Sequence, residues 1–444
     1  MSRLGTSTFS CLTLSLLNLC AVAQSKAPDS TGTFVLNRII LEGNKDTKPY
    51  IVIREIPFKE GDTVAASEID YARDRIYSTG LFTKVLTQLE FVSKDRADLL
   101  IYVEERWHIW PYPIVGFRDR VVVWNKLYAG LGIVDFNFLG MAERLEGDFA
   151  LGYDPFVSIT YSNPSIGEDK DYSLLLGTSY AHGRNVGLQA AYSTGQFDNS
   201  FGDFYVVAGK WLDIYSSFFV GAAFNYVAKN GDDSNAVTVS PSGKDIFASL
   251  RVEYNRDSRD LKVYATKGVY WDILFEKYGL GESSINFVRA SFDAREYLPI
   301  WDFLSLAGRF HGSLAEGPEI PRYNHVFFGY SELIRGMFNT VTEGESGLGG
   351  NLEVRIPIIR TMYFEIPWAP VEQFKSNRFA LYWGLFADAG ETSNKNLDMK
   401  LDRTLYGYGI GLNFLLPYDV IFQIDYARGS DKHYEFIFDF GETI

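Results

Sequence analysis

Arg335 is the residue whose chemistry asks most of its surroundings. It sits in "FFGYSELIRGM", between Ile334 and Gly336, in the glycine-flanked and mostly uncharged stretch 329–358, which begins inside a long loop, 315–347. A guanidinium folded into a confined space needs carboxylate partners, and its planar fork accepts two. Glu353, on the alternating run that follows, and Asp388, in "LFADAG", are the candidates. Gly336 lets the backbone turn tightly beside the arginine. This chemistry is bracing rather than turnover. The chain has no Gly-x-Ser-x-Gly and no Gly-x4-Gly-Lys. Its five histidines (108, 182, 311, 325 and 433) lack ligand spacing, so no metal is expected. A Ser/His/Asp set assembled only in space stays open as an alternative; the expectation is a non-enzyme without a cofactor.

The body that must hold Arg335 is bounded by composition. A formal charge of −14 over 444 residues argues against a nucleic-acid partner. Aromatic residues at 16% and 40 glycines favour an antiparallel β-rich chain with many turns. Residues 1–23 read as an export signal: Arg3, an apolar core from Phe9 to Leu19, then Ala21-Val22-Ala23 before Gln24. Attachment of a lipid at Cys20 is the alternative, disfavoured by bulky Leu19 before it. Cys11 and Cys20 are the only cysteines, so the segment beyond the signal can form neither a disulfide nor a thiolate metal site. No later stretch offers ~18 uninterrupted apolar residues, which leaves a soluble body or one that crosses a membrane on strands.

After a short lead-in at 24–33, residues 34–105 form a small α/β unit. "FVLNRIILEG" is a strand, "KPYIVIREIPFKEGD" a short helix broken at Pro57, and "AASEIDYARDRIYSTG" a helix with Ile69, Ala72 and Ile76 on one face and Gly80 as its stop. "LFTKVLTQLEFV" and "ADLLIYVEER" alternate as strands.

From 107 to 444 the pattern becomes about sixteen or seventeen segments of period two, separated by Gly, Asp, Asn and Pro turns. Ile246, Ala248, Leu250, Val252 and Tyr254 oppose Ser249, Arg251 and Glu253. Leu304, Leu306, Phe310 and Leu314 oppose Ser305, Arg309, His311 and Ser313. Phe436, Phe438 and Phe440 oppose Glu435 and Asp439. Alternation alone does not say which face is wet. The export signal, the number of repeats and the mixed-sign ionic face favour a transmembrane barrel over a sandwich, because a closed barrel leaves no strand edge unpaired. An even strand count, about sixteen, is expected, with the strands around 107–126 and 186–211 the hardest to place. External loops are read at 229–244, 315–347 and 391–403.

Several motifs, in order, carry a family resemblance. "IILEGN", "FKEGD", "IYSTGLFTKV" and "LLIYVEE" resemble a polypeptide-transport-associated (POTRA) domain. "LIRGM" resembles the Val-Arg-Gly-Phe loop motif of the BamA-like outer-membrane assembly and translocation barrels of the surface-antigen type. "YNRDSRDLKVYATKG" resembles their Asp-x-Arg-Asp strand-end motif, here Asp257, Ser258, Arg259 and Asp260. "GGNLEVRIPI" and "LFADAG" resemble the strands that hold the loop arginine. "YEFIFDFGETI" resembles the terminal insertion signal, carried by Phe436, Phe438, Phe440, Gly441 and Ile444. Met337 stands where the family has an aromatic residue, and Tyr330 where it has a glycine. The resemblance implies a mainly β fold: one periplasmic POTRA domain before a transmembrane antiparallel barrel of a Gram-negative-type outer membrane. It implies an assembly or insertion factor for unfolded outer-membrane polypeptides or, alternatively, a pore secreting a partner protein. Outer-membrane lipid and periplasmic accessory proteins are the further partners implied. A passive pore with no protein substrate is a third reading.

Overall fold

The computed structural model describes residues 33–444 except 118–126, 167–170, 185–197, 231–237, 283, 330, 331, 338, 339, 371–374, 395–402, 418, 419 and 441–444. The segment read as an export signal, and the lead-in up to residue 32, lie outside the described residues.

The chain opens with β1 (Thr33–Glu42), α1 (Pro49–Ile53), β2 (Thr63–Ala65), α2 (Ala66–Tyr77), β3 (Phe82–Ser93) and β4 (Arg96–Glu105). Their sheet runs in the order β2-β1-β4-β3. β1 and β4 are parallel and the other two pairs antiparallel. The helical spacing of Ile69, Ala72 and Ile76 buries all three against Leu36, Leu99 and Ile101 of the sheet. The Glu68 side chain accepts the Ala65 N–H at 2.7 Å and caps the start of α2. Gly80, at φ +74°, ends that region in a conformation that side chains disfavour. β2 escaped the sequence reading because three residues give no periodicity to detect.

The remainder is one antiparallel sheet of sixteen strands. It starts with β5 (Ile109–Phe117), β6 (Leu127–Phe138), β7 (Glu143–Gly152), β8 (Phe156–Ile166) and β9 (Tyr172–Arg184). It continues through β10 (Asp198–Trp211), β11 (Ser216–Asn230), β12 (Lys244–Asp257), β13 (Gly268–Leu280), β14 (Phe287–Trp301) and β15 (Leu304–Glu316). The loop after β15 carries a two-stranded ribbon of its own, β16 (Val326–Phe328) with β17 (Thr342–Gly344). The wall then resumes with β18 (Ser346–Glu365), β19 (Ser376–Ser393), β20 (Leu405–Leu415), β21 (Ile421–Gly429) and β22 (Tyr434–Phe440). Among the described residues the wall has sixteen strands, where alternation alone gave sixteen or seventeen.

The two faces of the wall separate as period two dictates. Leu250, Phe275, Phe310 and Leu352 stand outward and are 48–59% exposed. Arg289, His311, Glu353, Arg355 and Asp388 point inward and are 1–8% exposed. This is the inverse of a soluble protein: the large apolar side chains ring the outside and the ionic ones line the interior, the arrangement of a barrel solvated by lipid. Among the described residues no helix is long and apolar enough to cross a membrane.

The α/β unit is docked on one end of the barrel through α2 and the turns there. Tyr71 donates its hydroxyl to the Ser258 carbonyl at 3.0 Å, and Arg75 donates to the Ile214 carbonyl at 2.8 Å. The Lys262 N–H donates to Ser78 Oγ at 3.1 Å, and the Arg378 guanidinium lies 4.7 Å from the Tyr77 ring centre. The β6–β7 turn meets the unit as well: Lys48 donates its N–H to the Gly140 carbonyl at 2.9 Å. Any side chain at Gly140, itself at φ +74°, would strike the Asp46 carbonyl at 2.2 Å.

Candidate functional site

The loop between β15 and β18 leaves the barrel end opposite the α/β unit and turns back into the lumen. An apolar seat guides it: Ile334 and Met337 pack with Phe328 and Leu405. Room for its backbone comes from glycines on the inner wall. A side chain at Gly407 would meet the Arg335 carbonyl oxygen at 1.8 Å, and one at Gly429 the Gly336 oxygen at 2.2 Å. Gly336 itself turns at φ +91°.

Arg335 is 3% exposed. Its Nε and Nη2 donate to the two oxygens of Asp388, on β19, at 2.7 and 2.9 Å. Its Nη1 donates to Glu353 Oε2, on β18, at 2.7 Å, and its backbone N–H adds a third donor to Asp388 at 3.1 Å. The guanidinium plane lies 3.7 Å from the Phe386 ring centre. Each of the three guanidinium nitrogens therefore donates to a carboxylate, as buried charge requires if its lost hydration is to be offset. The structure brings together Arg335, Gly336, Ile334, Met337, Glu353 and Asp388.

The site is larger than the sequence suggested. Arg355, two residues along the same face of β18, is 1% exposed. It donates Nε to Glu353 Oε1 at 3.0 Å and Nη1 to the Ala265 carbonyl at 2.6 Å. Its guanidinium lies 3.9 Å from the ring centre of Tyr264. Tyr264, in the β12–β13 turn, has φ +59° and is 1% exposed. Its hydroxyl lies 3.5 Å from Glu353 Oε1 and accepts from Asn413 Nδ2 at 2.9 Å. Glu353 thus takes two guanidiniums, one from the loop and one that ties it to the turn. A second clamp holds the loop higher up, where Arg309 donates both Nη atoms to Glu332 at 2.9 and 3.1 Å while also bridging to Asp293 at 2.8 Å. No local signal marks Tyr264 or Glu332, because each acts through partners far away in the sequence.

The strand-end motif lies apart from Arg335 but on the same path. Asp257 receives Arg259 Nε and Nη2, each at 2.9 Å. Asp260 organises the turn, accepting the Thr266 hydroxyl at 2.6 Å and the backbone N–H of Leu261 at 2.9 Å. That turn carries Ser258 and Lys262, which meet α2, and Tyr264 and Ala265, which meet Arg355. A continuous set of contacts therefore runs from the α/β unit through the 258–267 turn to the loop arginine. Of the terminal motif, Phe436 and Phe438 face outward on β22 at 71% and 64% exposure, and Phe440 ends the strand. Gly441 and Ile444 lie outside the described residues, as does Tyr330.

A family model for the Omp85 superfamily domain matches residues 137–444, and a POTRA model, described as a surface antigen variable number repeat, matches residues 34–106. The outer membrane protein assembly factor BamA of Nitratidesulfovibrio vulgaris is 23% identical over 312 residues, 68% of this chain and 37% of that protein. The protein of the same name from Neorickettsia risticii is 23% identical over 416 residues, 90% of this chain and 53% of that one. The chain thus spans about a third to a half of the length of these curated relatives. Among solved structures, BamA from Haemophilus ducreyi lacking POTRA domains 1-3 superposes with a TM-score of 0.54 at 18% identity, covering 92% of this chain and 84% of that one. CdiB from Escherichia coli superposes with a TM-score of 0.55 at 12% identity, covering 91% and 74%. Both likenesses concern the fold.

Proposed function

Since the chain belongs to the Omp85 superfamily, as a BamA-like member with a POTRA domain, we propose that it is an outer-membrane protein assembly factor. In this reading the POTRA domain stands in the periplasm and receives unfolded polypeptide, and the barrel inserts it into the bilayer. The observation that carries the reading is the seam of the barrel. Among the described residues no ladder joins the first wall strand, β5, to the last, β22. In hydrocarbon an unpaired strand edge is very costly, so an incoming strand that pairs there is stabilised by the bonds the edge lacks.

The docked domain supports the same reading. β3 is an outer strand of its sheet, paired among the described residues only with β4, and Phe91 and Val92 near its end are 54% and 64% exposed. An extended segment can add to such an edge through main-chain bonds with little demand on its sequence, which suits many substrates. The step needs no nucleotide or cofactor, because the substrate's own pairing in lipid supplies the free energy. The braced loop, held by Arg335, Glu353 and Asp388, gives the lumen a fixed shape against which the seam can open. The strand-end turn, with Asp257, Arg259 and Asp260, transmits the position of the POTRA domain to that loop.

Conditional depletion followed by quantitative analysis of the outer membrane tests the proposal. Loss of many barrel proteins is the expected result. Loss of a single exported protein would assign the chain to secretion instead, and altered solute permeability alone would leave it a passive pore.

A further inference from the structure

Two prolines stand on the free edge of the first wall strand. Phe136 donates its N–H to the His108 carbonyl at 2.9 Å, which makes that pair a hydrogen-bonded one. The antiparallel register continues as Ile109 with Asp135, Pro111 with Ile133 and Pro113 with Leu131. Hydrogen-bonded and non-bonded pairs alternate along such a ladder. Trp110, Tyr112 and Ile114 therefore aim their backbone groups at β6, and Ile109, Pro111, Pro113, Val115 and Phe117 aim theirs at the seam. Proline has a carbonyl but no N–H. The seam edge of β5 thus carries five carbonyls, that of Ile109 already accepting from Trp107 Nε1, and three N–H groups, the missing pair of donors being adjacent on that edge. Their neighbours across β6, Leu131 and Ile133, are 56% and 55% exposed on the outer face, so the gap lies where lipid leaves no water to substitute.

The opposite edge is complete. The Gly429 N–H donates to the His433 carbonyl at 3.0 Å, and the register continues as Arg428 with Tyr434 and Tyr426 with Phe436. By the same alternation Tyr434, Phe436, Phe438 and Phe440 aim at the seam, each with both a donor and an acceptor. Wherever β22 lay against Pro111 and Pro113, two of its carbonyls would find no partner. We propose that Pro111 and Pro113 are positioning residues that keep the barrel seam unlatched, by denying it two neighbouring backbone donors. This deepens the assembly reading and rests on it: a seam that cannot zip fully stays available to an incoming strand. Such a strand also finds four backbone donors on β22 against three on β5.

The test replaces both prolines with valine, which restores the donors and keeps the outer face apolar. Spin labels at Val115→Cys and Phe436→Cys, in full-length protein carrying Cys11→Ser and Cys20→Ser and held in lipid nanodiscs, report the seam without any substrate. The double valine variant should collapse to one narrow distance population, shortened by at least about one interstrand spacing of ~4.8 Å. Superimposable distributions in the two proteins would overturn the proposal. Ile114→Pro and, in unlabelled protein, Val115→Pro check the edge assignment. Val115→Pro should keep heat-modifiable migration, because its N–H faces the seam, whereas Ile114→Pro should lose it, because its N–H bonds β6; equal behaviour of the two would contradict the assignment. A final arm follows insertion of a urea-unfolded eight-stranded barrel into liposomes, where the valine variant should be at least about tenfold slower than the parent. A closed seam with undiminished insertion would remove its link to assembly. If the parent protein itself gives no acceleration, the assembly reading fails, and the distance measurement still judges the prolines.

Discussion

Removing the Arg335 side chain should be among the most costly single changes in the barrel, and the structure says why. Arg335→Ala deletes the contacts of 2.7 and 2.9 Å to Asp388, the contact of 2.7 Å to Glu353, and the stack on Phe386. The two carboxylates do not suffer equally. Glu353 keeps Arg355 at 3.0 Å, whereas Asp388, 2% exposed, keeps among the described residues only the backbone N–H of residue 335. Leaving one member of a buried pair without its partner costs about 3–5 kcal/mol. At 1.4 kcal/mol per tenfold, the docked loop then loses roughly a hundred- to several-thousandfold in population. Because most of the penalty sits on Asp388, adding Asp388→Asn to Arg335→Ala should recover about 1–3 kcal/mol, while Glu353→Gln should recover less. Arg335→Lys keeps the charge but loses the fork, and should fall between parent and alanine. The assay is heat-modifiable migration across a temperature series, with limited proteolysis of the 317–345 loop as a local readout. If Arg335→Ala matches the parent in both, or if Asp388→Asn fails to rescue better than Glu353→Gln, the loop is not held in the way described.

Other parts of the same network give independent outcomes. Glu353→Ala strips a partner from both Arg335 and Arg355, so its loss in thermal stability should equal or exceed that of Arg335→Ala. Tyr264→Phe keeps the ring beneath Arg355 and should cost about 1 kcal/mol, whereas Tyr264→Ala also empties a fully packed position and should cost about 3–5 kcal/mol in denaturant unfolding. Glu332→Ala releases the upper clamp on Arg309; proteolysis should detect loosening of 317–345 while the Arg335 contacts persist, at a cost of about 1–2 kcal/mol. Arg75→Ala removes the bond of 2.8 Å from α2 to the Ile214 carbonyl, and distances from labels on the POTRA domain to the barrel should broaden without loss of the barrel's heat stability.

Much of this architecture was readable beforehand, for physical reasons particular to each element. A strand with one face in lipid and one in an ionic lumen writes period two plainly, so the faces of β12 and β15 could be assigned residue by residue. Arg335 announced itself because a cation set between uncharged neighbours in a loop that folds inward must find carboxylates, and Glu353 and Asp388, the two named for it, are those it meets. Tyr264 and Arg355 were harder. A tyrosine in a polar turn looks like ordinary loop, and its contact with Glu353 spans 89 positions of sequence. The ribbon of β16 and β17 is three residues a side, too short for a pattern to emerge. The start of the barrel was obscured by Pro111 and Pro113, which read against a central strand. On an edge strand with both prolines turned to the free side, the same residues become informative.

Everything above depends on which face of the wall meets lipid, and one measurement addresses it directly. An environment-sensitive dye can be placed on single cysteines along β13 in membrane-reconstituted protein, in the background lacking Cys11 and Cys20. Trp271→Cys, Ile273→Cys and Phe275→Cys should report an acyl-chain environment, and Asp272→Cys, Leu274→Cys and Glu276→Cys a hydrated one, alternating at every step. A signal without that alternation, or with its phase reversed, would contradict the barrel's orientation and, with it, the assembly function proposed here.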